Sequence, residues 1–417
     1  MHKSDHYLQA YLVGGAVRDE LLGRNVADRD WVVVGSTPEE MRRLGYEQIG
    51  NEFPCFLHPV TKEEYALART ERKSGAGHKG FMCDFDPNIT LEEDLIRRDL
   101  TINAIAKNDS GDYVDPYGGI DDLNQKVLRH VSPAFVEDPL RVLRVARFAA
   151  RYKDLGFSVH ASTLELMNQL AQQGELNTLT PERVWKEISR ALTEPNPSEF
   201  FRVLKACDAL GKILPELDAL FGVPQTAQYH PEIDTGEHVM LSIDYARRAF
   251  NDALITYAVL LHDLGKGITP RELWPKHIDH ENLGLPLSDA VSKRLRVPKD
   301  YRELANAVTK HHLRAHCLQE MKPSSVLRLL EDLDGFRRPV RVEQFIAACE
   351  SDARGRLGLE NKPYPQAQYL LTALHAAKSV DVQPLLDKGY RGLDLAEQLR
   401  QIRIKDVKKA LKEHVCD

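Results

Sequence analysis

The chain has 417 residues, 42% hydrophobic and 28% charged, which is enough to bury substantial cores in roughly two to four units. A net charge of −6 argues against a protein that coats itself in nucleic acid nonspecifically, although basic residues bunch at Arg69/Arg72/Lys73, Arg97/Arg98, 141–151 and 400–412 and leave room for local positive surfaces. The six cysteines are scattered without a CxxC pair and indicate neither a zinc ribbon nor a disulfide framework, while the lack of a membrane-length apolar run or a signal-like N-terminal segment makes the cytoplasm the expected location, with no membrane partner.

Up to about residue 130, short β-branched runs at 31–35, 65–70 and 101–106 alternate with glycine turns and helical segments, the pattern of an α+β head. Its first block is LVGGAVRD, residues 12–19, read as strand, tight glycine turn and helix. Gly14 and Gly15 let backbone N–H groups approach a triphosphate at a helix N-terminus, and Arg18 offers a forked donor to phosphate oxygens. Asp28-Arg29-Asp30 then enters the apolar run Trp31-Val32-Val33-Val34. In a strand, positions i and i+2 share a face, so Asp28 and Asp30 converge and suit Mg²⁺. A phosphate cradle beside a metal-binding carboxylate pair points to nucleotidyl transfer.

The block RRDLTINA, residues 97–104, offers Arg98 to a triphosphate and Asp99 or Asn103 to a ribose hydroxyl. Glu137-Asp138-Pro139-Leu140-Arg141 then opens a helical run in which Arg141, Arg144, Arg147 and Arg151 fall within about a 120° arc, a basic stripe opposite an apolar face. Asp138 before Pro139 is a good helix cap. Alternatively, Asp138 and Arg141 form an acceptor beside a donor, matching the amine and ring-nitrogen edge shared by cytosine and adenine. From residue 138 the periodicity is helical throughout, with proline-rich breaks at 195–197 and 224–231.

These three blocks resemble, in order and spacing, the bacterial class II CCA-adding tRNA nucleotidyltransferases of the polymerase-β-like superfamily. The resemblance covers essentially the whole chain and implies a polymerase-β-like head followed by an all-α neck, body, HD domain and tail. It implies that Gly15, Arg18, Arg98, Arg144 and Arg147 bind the nucleotide, that Asp28 and Asp30 hold Mg²⁺, and that Asp138 and Arg141 read the base of CTP or ATP. The partner implied is the tRNA acceptor end, bound by a monomer or a homodimer. The glycine-rich segment 69–81 (RTERKSGAGHKGF) looks like the family's mobile loop linked to the change from C to A addition.

Seven of the sixteen histidines lie between 231 and 340. His262-Asp263-Leu264-Gly265-Lys266, with His238 upstream and His277 and His280 downstream, resembles the HD phosphohydrolase domain. His262 and Asp263 are the expected catalytic pair. His238, His262, Asp263 and His280 are the expected ligands of a divalent transition metal, Ni²⁺ being the candidate, with His312 and Asp352 as further unranked ligands and Lys266 facing phosphate. The resemblance associates this appendage with 2′,3′-cyclic phosphodiesterase, 2′-nucleotidase and phosphatase activities. The expected division is 1–137 head, 138–230 neck and body, 231–340 HD domain and 341–417 helical tail. Two alternatives stay open: a bacterial poly(A) polymerase, which shares head and neck, and an HD phosphohydrolase whose head only binds tRNA.

Overall fold

Alternation along the strand Asp30–Val34 sets the layering of the head. Val32 points to one face of the sheet, among Val13, Ile89, Leu91, Leu95, Ala104 and Ala106. Val33 points to the other, among Met41, Phe56, Tyr65 and Leu67, as a period of two requires. The computed structural model describes residues 8–26, 28–49, 55–73, 81–84 and 86–414. Among them the strands are β1 (Gln9–Val13), β2 (Asp30–Val34), β3 (Glu47–Ile49), β4 (Cys55–Leu57), β5 (Glu64–Leu67), β6 (Thr70–Lys73), β7 (Phe81–Asp84), β8 (Ala106–Lys107), β9 (Tyr113–Val114), β10 (Val127–Leu128) and β11 (Ser158–Val159), the last two a separate parallel pair. Seven form one sheet in the order β3-β4-β5-β2-β1-β8-β9, and β6 pairs with β7 apart from it. Only β2 and β5 run parallel in the large sheet. The glycine-rich segment 74–80 lies outside the described residues.

Helices close both faces. Thr37 caps Pro38–Arg43 through the Glu40 amide, burying Met41 on one side. Thr90 and Glu93 form a reciprocal capping box at Leu91–Leu95, which covers the other. The expected strand at 101–106 is instead a 3₁₀ turn at Thr101–Asn103, and only Ala106 and Lys107 are extended. Tertiary contacts override β-propensity here. Thr101 donates its hydroxyl to Asp122 at 2.7 Å, and Gly119 approaches so closely that a Cβ there would sit 2.3 Å from the Thr101 carbonyl oxygen.

The described residues divide into two compact units, 1–187 with 199–213, and 188–198 with 214–417. In the first, the helix Leu140–Tyr152 carries the arginines of the expected stripe. The stripe is not a solvated face. Arg141 and Arg147 are buried, and each cation turns onto an acceptor: Arg144 onto Asp99 at 2.7 Å, Arg147 onto Glu187 at 2.7 Å, and Arg141 onto the carbonyls of Ala134 and Arg97. The Asp99 carboxylate also accepts from Asn103 Nδ2 at 2.8 Å, and Asn103 Oδ1 accepts from Arg18 at 2.6 Å. One buried chain of charged hydrogen bonds therefore runs from the glycine-turn helix Gly15–Leu21 to the neck.

The second unit is helical. Ala253–Leu261 is apolar on every side and buried from Ile255 onward, the signature of a central helix. Thr235–Phe250, Lys299–His316 and Pro339–Arg354 pack against it, and His280–Arg294 packs on Lys299–His316. The expected seam at 340 falls inside the Pro339–Arg354 helix.

Burial alone would raise the Asp99 carboxyl, yet Arg144, Asn103 and Arg141 hold it at about 2 against an ordinary 3.8. A carboxyl depressed in the folded state contributes stability that is present above its unfolded value and lost as pH falls through the folded one. Asp99→Asn removes a charged acceptor worth about 1.5–3 kcal/mol and should lower Tm by several degrees at pH 7. The gap to wild type should narrow as pH drops from about 4 toward 2. A gap that stays constant across that range in thermal scans would show that Asp99 carries no charge in the folded protein.

Candidate active sites

The head site follows from strand register. β1 and β2 are antiparallel with Val13 opposite Asp30, so the chain leaves β1 into the Gly14-Gly15 turn beside the point where β2 begins. Gly14 has φ of 68° and a Cβ on it would lie 2.8 Å from Arg98 Nη1. Only glycine meets both conditions. Arg98 thus crosses the turn, anchored on Asp94 at 3.3 Å, while its Nε is buried with no hydrogen-bond partner. An unsatisfied guanidinium donor at a glycine turn is a ready anion contact.

Asp30 opens β2, whereas Asp28 precedes the strand, so the expected strand-face convergence is replaced by a loop residue beside a strand residue. Both are exposed. Partial desolvation raises the Asp30 carboxyl, Arg98 opposes that, and the Asp28 carboxylate adds to it. Two neighbouring carboxylates, with the charge of Asp28 adding to the proton affinity of Asp30, form an all-oxygen donor set suited to a hard divalent ion.

The remaining expected nucleotide residues already have protein partners. Arg18 is buried against Asp19 and Asn103 and lies over the Phe148 and Tyr152 rings. Asp99 and Asn103, expected at a ribose, bond each other. Asp138 accepts from the Leu140 amide at 3.1 Å, a capping contact, and from Arg183 at 2.9 Å. Sequence reasoning missed Arg183 and Glu187, because they face the neck helix from the separate helix Pro181–Ala191 and no local motif marks them.

In the second unit five helices deliver buried ligand groups to one place. His238 lies on Thr235–Phe250, His262 follows Ala253–Leu261, His280 opens His280–Arg294, His312 lies on Lys299–His316, and Asp352 lies on Pro339–Arg354. His238 Nε2 is 3.0 Å from Asp352 Oδ1 and 3.9 Å from Asp263 Oδ2. His262 Nε2 is 3.2 Å from Asp263 Oδ2 and 3.8 Å from Asp352 Oδ1. The His262 Nδ1 donates to the Val259 carbonyl at 2.6 Å, which turns Nε2 toward the carboxylates, and although burial opposes it, Asp263 and Asp352 raise the ring's proton affinity. That Nε2 is buried without a hydrogen-bond partner. Glu232 Oε1 lies 2.9 Å from His238 Nδ1, on the side of the ring away from its Nε2 contact with Asp352. Two imidazole Nε2 atoms and two carboxylates facing one another are a donor set that fits a borderline divalent ion.

His280 Nε2 lies 3.2 Å from the other oxygen of Asp263, and Asp352, an unranked candidate in the sequence, lies beside His238 and His262. His277 takes no part, since its ring is held by Thr269 and the Pro224 carbonyl. Lys266 donates to Asp263 Oδ2 and to Gln225, each at 2.7 Å. Although burial opposes it, Arg356 and His316 hold Asp352 well below the carboxylate range; His262 and Lys266 do the same for Asp263. Both anions are therefore fully charged.

Residues 10–129 match the family model of the Poly A polymerase head domain, 156–221 that of the probable RNA- and SrmB-binding site of polymerase A, and 235–338 the HD domain. In fold, the chain is similar to a Thermotoga maritima CCA-adding enzyme complexed with tRNA (TM-score 0.64, 21% identity, 98% of this chain and 91% of that one covered). It is also similar to a tRNA-processing enzyme in its apo form (TM-score 0.57, 26% identity, 95% of this chain and 92% of that one covered). A protein of Pseudomonas paraeruginosa named Multifunctional CCA protein is 58% identical over 401 residues, 96% of this chain and 98% of its own. Its namesake in Alkalilimnicola ehrlichii is 54% identical over 398 residues, 95% of this chain and 96% of its own. With that identity along nearly the whole of both chains, the protein belongs to the multifunctional CCA protein family, enzymes that join a nucleotidyltransferase head to an HD domain.

Proposed function

We propose that the protein builds and repairs the 3′-terminal CCA of tRNA from CTP and ATP without a nucleic-acid template, releasing pyrophosphate in the cytoplasm. Its HD unit then acts as a metal-dependent phosphohydrolase on 2′,3′-cyclic phosphates, 2′-nucleotides and phosphomonoesters. The names of the relatives and solved CCA-adding enzymes with ATP, CTP and tRNA support the first part. The observation that carries it is the pairing of Val13 with Asp30, which puts the glycine turn, the unsatisfied Arg98 donor and the two carboxylates side by side.

In the head, Asp28 and Asp30 would hold Mg²⁺, which when bound supplies acidification of the tRNA 3′-hydroxyl and charge neutralisation at the α-phosphate. Arg98 and the Gly14-Gly15 amides grip the triphosphate. Arg18, Arg144 and Arg147 sit behind it as fixed cations, their geometry set by Asn103, Asp99 and Glu187. Asp138, already facing a guanidinium donor, exchanges it for the exocyclic amine of cytosine or adenine beside Arg141. The head, neck-and-body, HD and tail division follows the same reading, with the HD part extended to Asp352. There His238, His262, Asp263 and Asp352 would hold a divalent transition ion such as Ni²⁺, which supplies Lewis-acid polarisation of a phosphoryl oxygen. Lys266 offers its ammonium to the phosphate from beside Asp263.

Asp30→Ala should cut CTP and ATP incorporation by about a hundredfold or more, several kcal/mol of lost transition-state stabilisation, and leave 2′,3′-cyclic phosphate hydrolysis intact. His262→Ala should do the reverse. Parallel assays on folded variants test this, and equal loss of both activities in either variant contradicts two separate centres.

Base reading makes a distinct demand on Asp138. If its carboxylate attracts the amine and repels the carbonyl of uracil and guanine, Asp138→Ala should relax rejection of UTP and GTP by about tenfold to a hundredfold, from a 1–3 kcal/mol reader. If it only caps the helix and anchors Arg183, Tm falls and all four triphosphates change alike. The kcat/KM ratios among the four nucleotides decide between these outcomes.

A further inference from the structure

We infer that the cavity under the loop 355–365, which joins the helices Pro339–Arg354 and Gln366–Lys378, is the nucleoside pocket of the HD unit. It takes the base and ribose of a single nucleotide whose 2′- or 3′-phosphate faces Asp352. This rests on the reading of the HD unit as a phosphohydrolase that acts on nucleotide phosphates.

The cavity encloses about 550 Å³, within the range of small-molecule sites. Leu359, the Tyr364 ring and the prolines on either side of it give apolar walls. Three cationic side chains and no carboxylate stand among the described residues that line it, so it suits a flat apolar body with an anionic tail. Of the cations, Arg354 is already held by Glu350 at 2.6 Å, whereas Lys362 is exposed and has no ion-pair partner among the described residues. Gln366 supplies the polar contact. Its Nε2 donates to the His316 carbonyl at 3.1 Å, which fixes the orientation of the amide, because a carbonyl can only accept. Oε1 therefore points the other way, and it is buried with no hydrogen-bond partner. A buried acceptor left unpaired is costly, and an N–H on the edge of a base is the donor it lacks.

Two lining residues tie this cavity to the candidate metal centre. Arg356 Nη2 lies 3.0 Å from Asp352 Oδ1, the oxygen that also faces His238 and His262. His316 Nε2 lies 2.7 Å from Asp352 Oδ2, and its Nδ1 lies 3.1 Å from the Tyr364 hydroxyl. One side chain therefore separates the pocket wall from the carboxylate. The Arg356 guanidinium is held on its other side by the Tyr229 carbonyl at 3.2 Å, so it stands fixed where a phosphate attached to a nucleoside in the cavity would meet it. The rival occupant is a bare anion, drawn by the cations alone and indifferent to base and ribose.

Photolabelling locates the nucleoside without depending on turnover. The full chain, loaded with Ni²⁺, is irradiated with 8-azidoadenosine 2′-monophosphate, and labelled positions are found by peptide mass spectrometry, which separates label in the head from label in the HD unit. The expected label falls within 353–366 and is displaced by unlabelled adenosine 2′-monophosphate but not by the same concentration of inorganic phosphate. Displacement by tRNA ending in a 2′,3′-cyclic phosphate at lower concentration than by the mononucleotide would mark an RNA 3′ end, rather than a free nucleotide, as the source of the nucleoside. Leu359→Trp, which fills the cavity, and Lys362→Glu, which reverses its unpaired charge, should each reduce the label about tenfold. The same variants should raise KM for 2′,3′-cyclic AMP by about tenfold, with the loss in KM rather than kcat, and melting curves serve as the folding control. No label within 353–366 in a parent protein that hydrolyses the cyclic phosphate overturns the pocket and leaves the phosphohydrolase standing. No hydrolysis with any divalent ion overturns the phosphohydrolase reading and this role of the cavity with it. Displacement by inorganic phosphate, or an unchanged KM in both variants, overturns the nucleoside assignment. The parent label decides even if a variant fails to fold.

Discussion

Burying a carboxylate costs on the order of several kcal/mol unless a cation or a set of donors shares the site, and both units are organised by that constraint. In the head it is met from within the protein. Asp94 takes Arg97 and Arg98, Glu187 takes Arg147, and Asp99 takes Arg144 together with the Asn103 amide. The Glu187–Arg147 and Asp99–Arg144 pairs join segments 40 and 45 residues apart, so they fix where the neck helix sits against the rest of its unit. Partnered in this way, the arginines lose little freedom on meeting a phosphate, because their rotamers are already set.

In the HD unit the same constraint is only partly met from within. Asp352 is served by Arg356 and His316 and Asp263 Oδ2 by Lys266, but His262 Nε2 and Asp263 Oδ1 are left buried without a hydrogen-bond partner. A structure tolerates few such groups. Here they cluster with imidazoles whose outer nitrogens are fixed by the carbonyls of Val259, His277 and Val308. Outer contacts that fix ring orientation are what a metal ligand needs, and a histidine core built for packing alone would not turn its inner nitrogens toward carboxylates.

What was legible in the sequence was whatever the chemistry demands of adjacent residues. The glycine turn of LVGGAVRD, the adjacency of Asp28 and Asp30 and the helix end at His262-Asp263 could be read because each is local. The direction in which the neck arginines face was not legible. Helical spacing showed that they share an arc, but a solvated stripe and a buried ion-pair ladder have identical periodicity, and Glu187 and Arg183 lie on another helix. Asp352 was visible only as a candidate, because no spacing rule connects residues on separate helices of a bundle. The strand expected at 101–106 failed for a related reason: the run has β-branched residues, yet Asn103 must turn back to reach Asp99 and Arg18.

The two candidate centres differ in ligand type and in burial. Asp28 and Asp30 are exposed carboxylates in an all-oxygen setting, which favours a hard, rapidly exchanging ion that arrives with a triphosphate and keeps part of its water shell. The HD ligands are buried, mix nitrogen with oxygen and are held by fixed outer contacts, which favours a softer ion that stays resident. Affinity in the Irving–Williams order would let a transition metal invade an oxygen site of equal denticity. The exposed head pair offers few protein ligands, so a tightly binding transition ion would gain little there, whereas the buried imidazoles would hold it. Selectivity between the ions thus follows from ligand type and burial, each set by the helices and strands that carry these residues.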